Sequence, residues 1–275
     1  MGVAYAATEG AAHGEELSVG DAILHHVQDT NVVDLWPLGH INLPNLHLFG
    51  IDFSITKHLL MMWIVCVILV IIFKMTLRRQ GPVPSGFSNL LETIVVFLRD
   101  EVILPAVGES GKRYLPYLLT VFFFILFCNL LGLLPYSATA TANVSVTAGL
   151  AIISFCMIQY GGMREHGVWH HLKNLVPPGL PVWLLPIMIP VEIMGQLTKP
   201  FALCIRLFAN MTAGHIVILS CLGLIAILKS LVIAPVAVGF ALFITILELF
   251  IAFLQAYIFT LLTSLFMGMA IHPEH

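Results

Sequence analysis

The sequence predicts an all-α integral membrane protein: five transmembrane helices plus an interfacial amphipathic helix, with the last two spans forming a long tilted hairpin. Three observations carry this reading. Hydrophobic residues fill 59% of the 275 positions and charged residues only 10%, where a soluble domain carries about 25% charged residues. The mean hydropathy is +0.98. The apolar stretches reach the roughly 20 residues that a membrane-spanning helix needs, and they lack the short alternating pattern of barrel strands.

Residues 1–55 hold seven acids and no Lys or Arg. They have no apolar core of a signal peptide. They read as an extracytoplasmic region ahead of a membrane domain, 56–275. The first span is Leu59–Phe73, closed by Lys74, Arg78 and Arg79. The loop Gly81–Arg113 contains an amphipathic stretch, Asn89–Val102, too polar to span and expected at the surface. The second span is Tyr114–Leu134, ended by Pro135, and the third is Val146–Tyr160. The loop Gly161–Gly179 carries Arg164, Lys173 and three histidines. Two long apolar segments follow, Pro181–Leu228 and Ser230–Ala270. Each is longer than a crossing requires, so both are expected to tilt or to extend beyond the hydrocarbon. Together they form the expected ion-translocating hairpin, 181–271. The five cysteines (Cys66, Cys128, Cys156, Cys204 and Cys221) lie in apolar stretches with no CxxC spacing. They read as free, buried thiols.

Five spans place the termini on opposite sides. Lys74, Arg78, Arg79, Arg99, Lys112, Arg113, Arg164 and Lys173 fall on one side, and only Lys57 and Lys229 on the other. Basic residues favour the cytoplasmic face, so the N-terminus is expected outside and the C-terminus in the cytoplasm. Short loops and this bias suit a bacterial plasma membrane, with an organelle of bacterial descent as the alternative.

The last two spans hold most of the intramembrane polarity: Glu192, Gln196, Lys199, Arg206, Asn210, His215, Glu248 and Gln255. Arg206 is the costliest. A fixed charge at a helix centre is penalised by roughly 2.5–3.5 kcal/mol on insertion scales, and arginine does not shed its proton. At about 100° per residue, Glu192, Lys199, Arg206 and Asn210 fall on one stripe and His215 on the opposite face. Folding the hairpin about Lys229 puts His215 and Glu248 at similar depth towards the outer side, and Arg206 and Gln255 near mid-membrane. Glu192 lies about 21 Å along the axis from Arg206, towards the cytoplasm. This layout suits a proton path in two halves. His and Glu both bind and release protons, while Arg206 repels cations and attracts a partner carboxylate.

Other readings of the same residues remain. Polar groups in a bundle also serve only to join helices, and Lys199 is long enough to snorkel to the interface. A stand-alone proton transporter is one alternative, although the chain has no internal repeat. A histidine-box metalloenzyme is another, from His166, His170 and His171. Such a site needs several boxes and the chain has one, so a solvated basic loop on the cytoplasmic face explains those histidines better.

The run Lys199-Pro200-Phe201-Ala202-Leu203-Cys204-Ile205-Arg206-Leu207-Phe208-Ala209-Asn210-Met211-Thr212-Ala213-Gly214-His215 resembles the a subunit of the F-type ATP synthase membrane sector. Asn129-Leu130-Leu131-Gly132-Leu133-Leu134-Pro135 and Leu254-Gln255-Ala256-Tyr257-Ile258-Phe259 are similar to two further family segments. The resemblance extends over nearly the whole chain, including His25, His26 and Glu92, and is weakest in residues 1–20. It implies a stator against a ring of c subunits, with b subunits of the peripheral stalk and the rest of the F1F0 complex as partners. Nucleic acid is not an expected partner, and no cofactor is implied. Arg206 matches the essential arginine, which faces the ring carboxylate and separates two half-channels. His215 and Glu248 match two outer half-channel positions, with the His and Glu types exchanged relative to some members. Asn210 and Gln255 match polar neighbours of the arginine, and Glu192 matches a cytoplasmic-side carboxylate. The chain departs from the pattern at Asn143 and Ser145, where many members have Asp-x-Asn, and at Ala202, where the family has serine. The first departure puts acid-based proton entry through that loop in doubt. No GxxxxGK[ST] nucleotide loop is present, so phosphate chemistry is expected on other subunits.

Overall fold

The computed structural model describes residues 32–35, 39–42, 47–48, 51–52, 56–78, 86–133, 140–169, 185–228 and 234–272. Five helices among them are long and apolar enough to cross a membrane. They are α1 (Lys57–Arg78), α4 (Leu115–Gly132), α5 (Val144–His166), α6 (Leu185–Leu228) and α7 (Ala234–Ile271). Trp63, Val67, Val70 and Ile71 of α1 are exposed. An apolar face of this size is tolerable only against lipid or a partner helix.

The membrane part is all-α, as expected from the sequence. Two small hairpins precede it, which the reading of residues 1–55 did not contain. β1 (Val32–Leu35) pairs antiparallel with β2 (Gly39–Asn42), and β3 (His47–Leu48) with β4 (Ile51–Asp52).

The expected amphipathic stretch is helical. α2 (Phe87–Phe97) runs into a π-helical turn, Leu98–Ile103, and then into the short α3 (Leu104–Val107). Leu91, Leu98, Val102, Ile103 and Val107 are buried, while Asp100 and Glu101 are exposed. Gly108 ends this run with φ +72°, a conformation open to glycine. A 3-10 turn, Glu109–Tyr114, leads into α4.

The chain divides into two compact units. One contains 67–126, 144–206 and 254–275. In it Phe73 packs edge-on against Phe123 at 5.0 Å, and Phe97 stacks on Tyr257 at 6.3 Å. The Tyr117 and Ser154 hydroxyls share a 2.9 Å hydrogen bond between α4 and α5. The end of α7 is locked in place. A Cβ at Gly268 would overlap the carbonyl oxygen of Ala106, and the His166 ring Nε2 lies 2.7 Å from the carbonyl oxygen of Ile271.

The other unit contains 1–66, 127–143 and 207–253. Here the fully buried Asn129 donates to the Ala252 carbonyl at 3.3 Å and accepts from the Thr141 hydroxyl at 2.8 Å. A buried amide satisfied on both sides fixes one helix against another. Asn129 belongs to the Asn-Leu-Leu-Gly segment, so this contact gives that motif a structural role.

The expectation of five buried thiols needs correction. All five cysteines are free, but Cys66 and Cys156 are exposed and Cys221 is intermediate. Apolar spacing locates a residue within a span without deciding which face it takes.

Candidate functional site

α7 buries a stripe that includes Ala237, Ala241, Glu248, Ala252, Gln255 and Ala256. The four-residue spacing within Ala237–Ala241 and within Ala252–Ala256 lets a neighbouring backbone come close. Glu248 lies on this stripe and is only 2% exposed. Its Oε1 sits 3.3 Å from Nδ1 of His215 on α6. The sequence placed these two residues at similar depth, and the structure brings them together.

Gly214 makes the approach possible. A Cβ there would lie 2.7 Å from Glu248 Oε1 and 2.9 Å from its Cδ. The carboxylate therefore fills the space of an absent side chain. Gly214 belongs to the run that resembles the family, but the sequence assigns it no role; a glycine inside a helical stretch usually has a packing reason. Among the described residues, neither carboxylate oxygen of Glu248 accepts a hydrogen bond of good geometry. A buried carboxylate beside an imidazole, with acceptor capacity in reserve, is equipped to exchange a proton with water.

The remaining predicted residues are distributed along α6 and α7. Arg206 is half-buried, and Leu203, Cys204, Leu207 and Met211 around it in sequence are buried. Ala202, Ile205, Ala209, Asn210 and Ala213 are exposed. Gln255 is buried, at 2% exposure. Lys199 Nζ stands 4.9 Å from the centre of the Phe266 ring, a cation–π contact. Glu192 lies within α6, and its side chain falls outside the described residues. Of the loop histidines, His166 contacts the end of α7, while His170 and His171 lie outside the described residues. The structure thus joins His215 to Glu248 and Lys199 to Phe266.

This geometry lies within a segment shared with known proteins. The family model described as ATP synthase A chain matches residues 59–268. The chain belongs to the ATP synthase A chain family. It is 51% identical over 264 residues to the ATP synthase subunit a of Chloroherpeton thalassium, covering 93% of this chain and 78% of that protein. It is 48% identical over 275 residues to the ATP synthase subunit a of Chlorobium phaeobacteroides strain DSM 266, covering 97% and 80%. A subunit a from Anaeromyxobacter dehalogenans is 46% identical over 280 residues, covering 94% and 73%. All of the predicted site residues fall inside the matched range 59–268.

Proposed function

We propose that this family member is the stator subunit a of a proton-driven ATP synthase. It provides two half-channels that carry H+ to and from a carboxylate on each c subunit of the ring. The observation that carries this reading is the contact of half-buried His215 with buried Glu248, 3.3 Å apart, with the carboxylate seated over Gly214. Protons entering from the outer side pass through this pair to the ring, and leave towards the cytoplasm past Glu192. Arg206 stands between the two halves, facing the ring carboxylate, with Asn210 and Gln255 as polar neighbours. Lys199 lies on the cytoplasmic side of the arginine.

The exposed residues near Arg206 support a close partner. Ala202, Ala209 and Ala213 are small and uncovered, which suits intimate contact with another membrane helix. The subunit itself is non-catalytic in this reading. The ring acts as a gear, because moving one charge through 100 mV yields only about 2.3 kcal/mol, so several protons are needed for each ATP. The partners are the c-ring, the b subunits of the peripheral stalk and the remainder of F1F0. The location is a bacterial plasma membrane, with the N-terminus outside and the C-terminus in the cytoplasm.

Cross-linking tests this. Leu207, adjacent to Arg206, is fully buried and unsuited to the purpose. Asn210 is exposed. An Asn210→Cys variant in a cysteine-free background should form a disulfide with a c subunit carrying a cysteine near its membrane carboxylate. A chain that forms no such bond, and conducts protons alone in liposomes, would instead be a stand-alone transporter.

A further inference from the structure

Gln196 is a polar residue of the fourth span with no role in the half-channel scheme above, and Gln159 lies in the third span. In the structure Gln159 Nε2 donates to Gln196 Oε1 at 2.6 Å, bridging α5 and α6. Both side chains are half-buried. Both helices are membrane spans, and an amide in hydrocarbon needs partners for its remaining polar groups. The bridge uses the Gln196 side-chain oxygen, and the –NH2 group of the same amide carries two protons that it can donate.

A second feature falls on the same residue. Pro190 and Pro200 both lie inside α6. Proline has no N–H, so Pro200 cannot donate to the carbonyl four residues earlier. That carbonyl belongs to Gln196. One position in the span therefore combines a side-chain amide, a bridging amide from α5 and a backbone oxygen deprived of its helical donor. A buried water needs two to four polar partners, and the amide bridge and the Gln196 carbonyl belong to the same turn of α6. Glu192 is four residues before Gln196, or about 6 Å along the axis. Lys199 is three residues after it and is engaged with the Phe266 ring.

We propose that Gln159, Gln196 and the carbonyl released by Pro200 form a water-binding site in the inner half-channel. This rests on the half-channel reading above. The site holds water, neutral or protonated, between Glu192 and the level of Arg206. Its amides neither add nor remove a proton, so it conducts without trapping charge. Gln159 acts as a positioning residue that holds the Gln196 amide towards the path.

The test uses the whole F1F0 complex in inverted membrane vesicles. Gln159→Leu, Gln196→Leu and Pro200→Ala are compared for passive proton conduction after F1 is stripped, normalised to assembled complex. Each Leu variant should lower conduction about tenfold, the scale of one mismatched buried polar group. Pro200→Ala restores the donor to the Gln196 carbonyl and should lower conduction with both glutamines intact. A bridge that only joins helices would reduce the amount assembled and leave conduction per complex unchanged, which would overturn the proposal. If the Leu variants do not assemble, Gln196→Cys in a cysteine-free background decides. Reaction with a membrane-impermeant thiol reagent from the cytoplasmic face supports the site. No reaction, where Arg164→Cys reacts, overturns it. Arg206→Ala in the same vesicles separates the two levels. Unimpaired ATP-driven pumping in that variant would remove the half-channel reading itself, whereas its loss alongside normal Gln variants would remove only the water site.

Discussion

The two ends of α6 handle polarity in opposite ways. Towards its C-terminal end, an ionisable pair is sunk into a close helix crossing, with Glu248 occupying the space above Gly214. Towards its N-terminal end, between Glu192 and Lys199, a neutral amide bridge joins α6 to α5, and the helix lacks the backbone donors of Pro190 and Pro200. In the first case a small residue brings two helices close enough to shelter a protonatable pair. In the second, missing backbone donors free carbonyls that water or a side chain can satisfy. The difference shows that a membrane helix admits polar groups either by tight packing or by loosening its own hydrogen bonds.

Arg206 lies between these ends in sequence, and its removal should have the largest effect. Arg206→Ala should reduce ATP-driven proton pumping by about 10²–10³-fold, as for loss of a fixed charge that organises a low-dielectric site. Subunit a should still be recovered in the membrane. Vesicle acidification measured with a pH-sensitive dye checks this, and normal pumping would end the comparison by making the arginine dispensable.

Gly214→Ala should come next. The added methyl would meet Glu248 Oε1 at 2.7 Å, and overpacking of this kind is penalised by about 1–3 kcal/mol. Pumping should fall by about tenfold or more on that scale. Combining it with Glu248→Asp, which shortens the side chain by one methylene, should recover part of the loss. If Gly214→Ala pumps like the wild type, tight packing is not what shelters the pair.

A smaller effect sharpens the same point. Exchanging His215 and Glu248 together should impair pumping less than either single change to Ala, since the exchange retains both chemical types. Losses that simply add in a double-mutant comparison would remove the direct interaction.

The least effect is expected at Asp100, an acid outside the spans. The Arg99 guanidinium hydrogen-bonds its carboxyl at 2.7 and 2.9 Å and holds it below the usual carboxylate range. Both partners are exposed, and exposed pairs contribute little. A carboxyl lowered in the folded state stabilises above its unfolded pKa and loses that contribution only as pH falls through the lowered value. Thermal unfolding of Asp100→Asn should therefore track the wild type at neutral pH. The two should converge further only at strongly acidic pH. A pH-dependent gap near neutrality would show that Asp100 is coupled to a group that titrates there.

Much of this protein follows from local sequence. Hydropathy and segment length specify five spans, because the bilayer demands about 20 apolar residues wherever the chain crosses. The cost of Arg206 is equally local, since it depends on one residue type at one depth. Helical periodicity also separated the Arg206 stripe from His215. Periodicity assigns a residue to a face but does not name the neighbour on that face. Gly214 beneath Glu248, Gln159 against Gln196, Asn129 on the Ala252 carbonyl and the exposure of Cys66 and Cys156 all depend on which helix lies opposite and how closely it approaches. Helices far apart in the chain meet through side-chain volume and hydrogen-bond geometry, and only the tertiary structure fixes those.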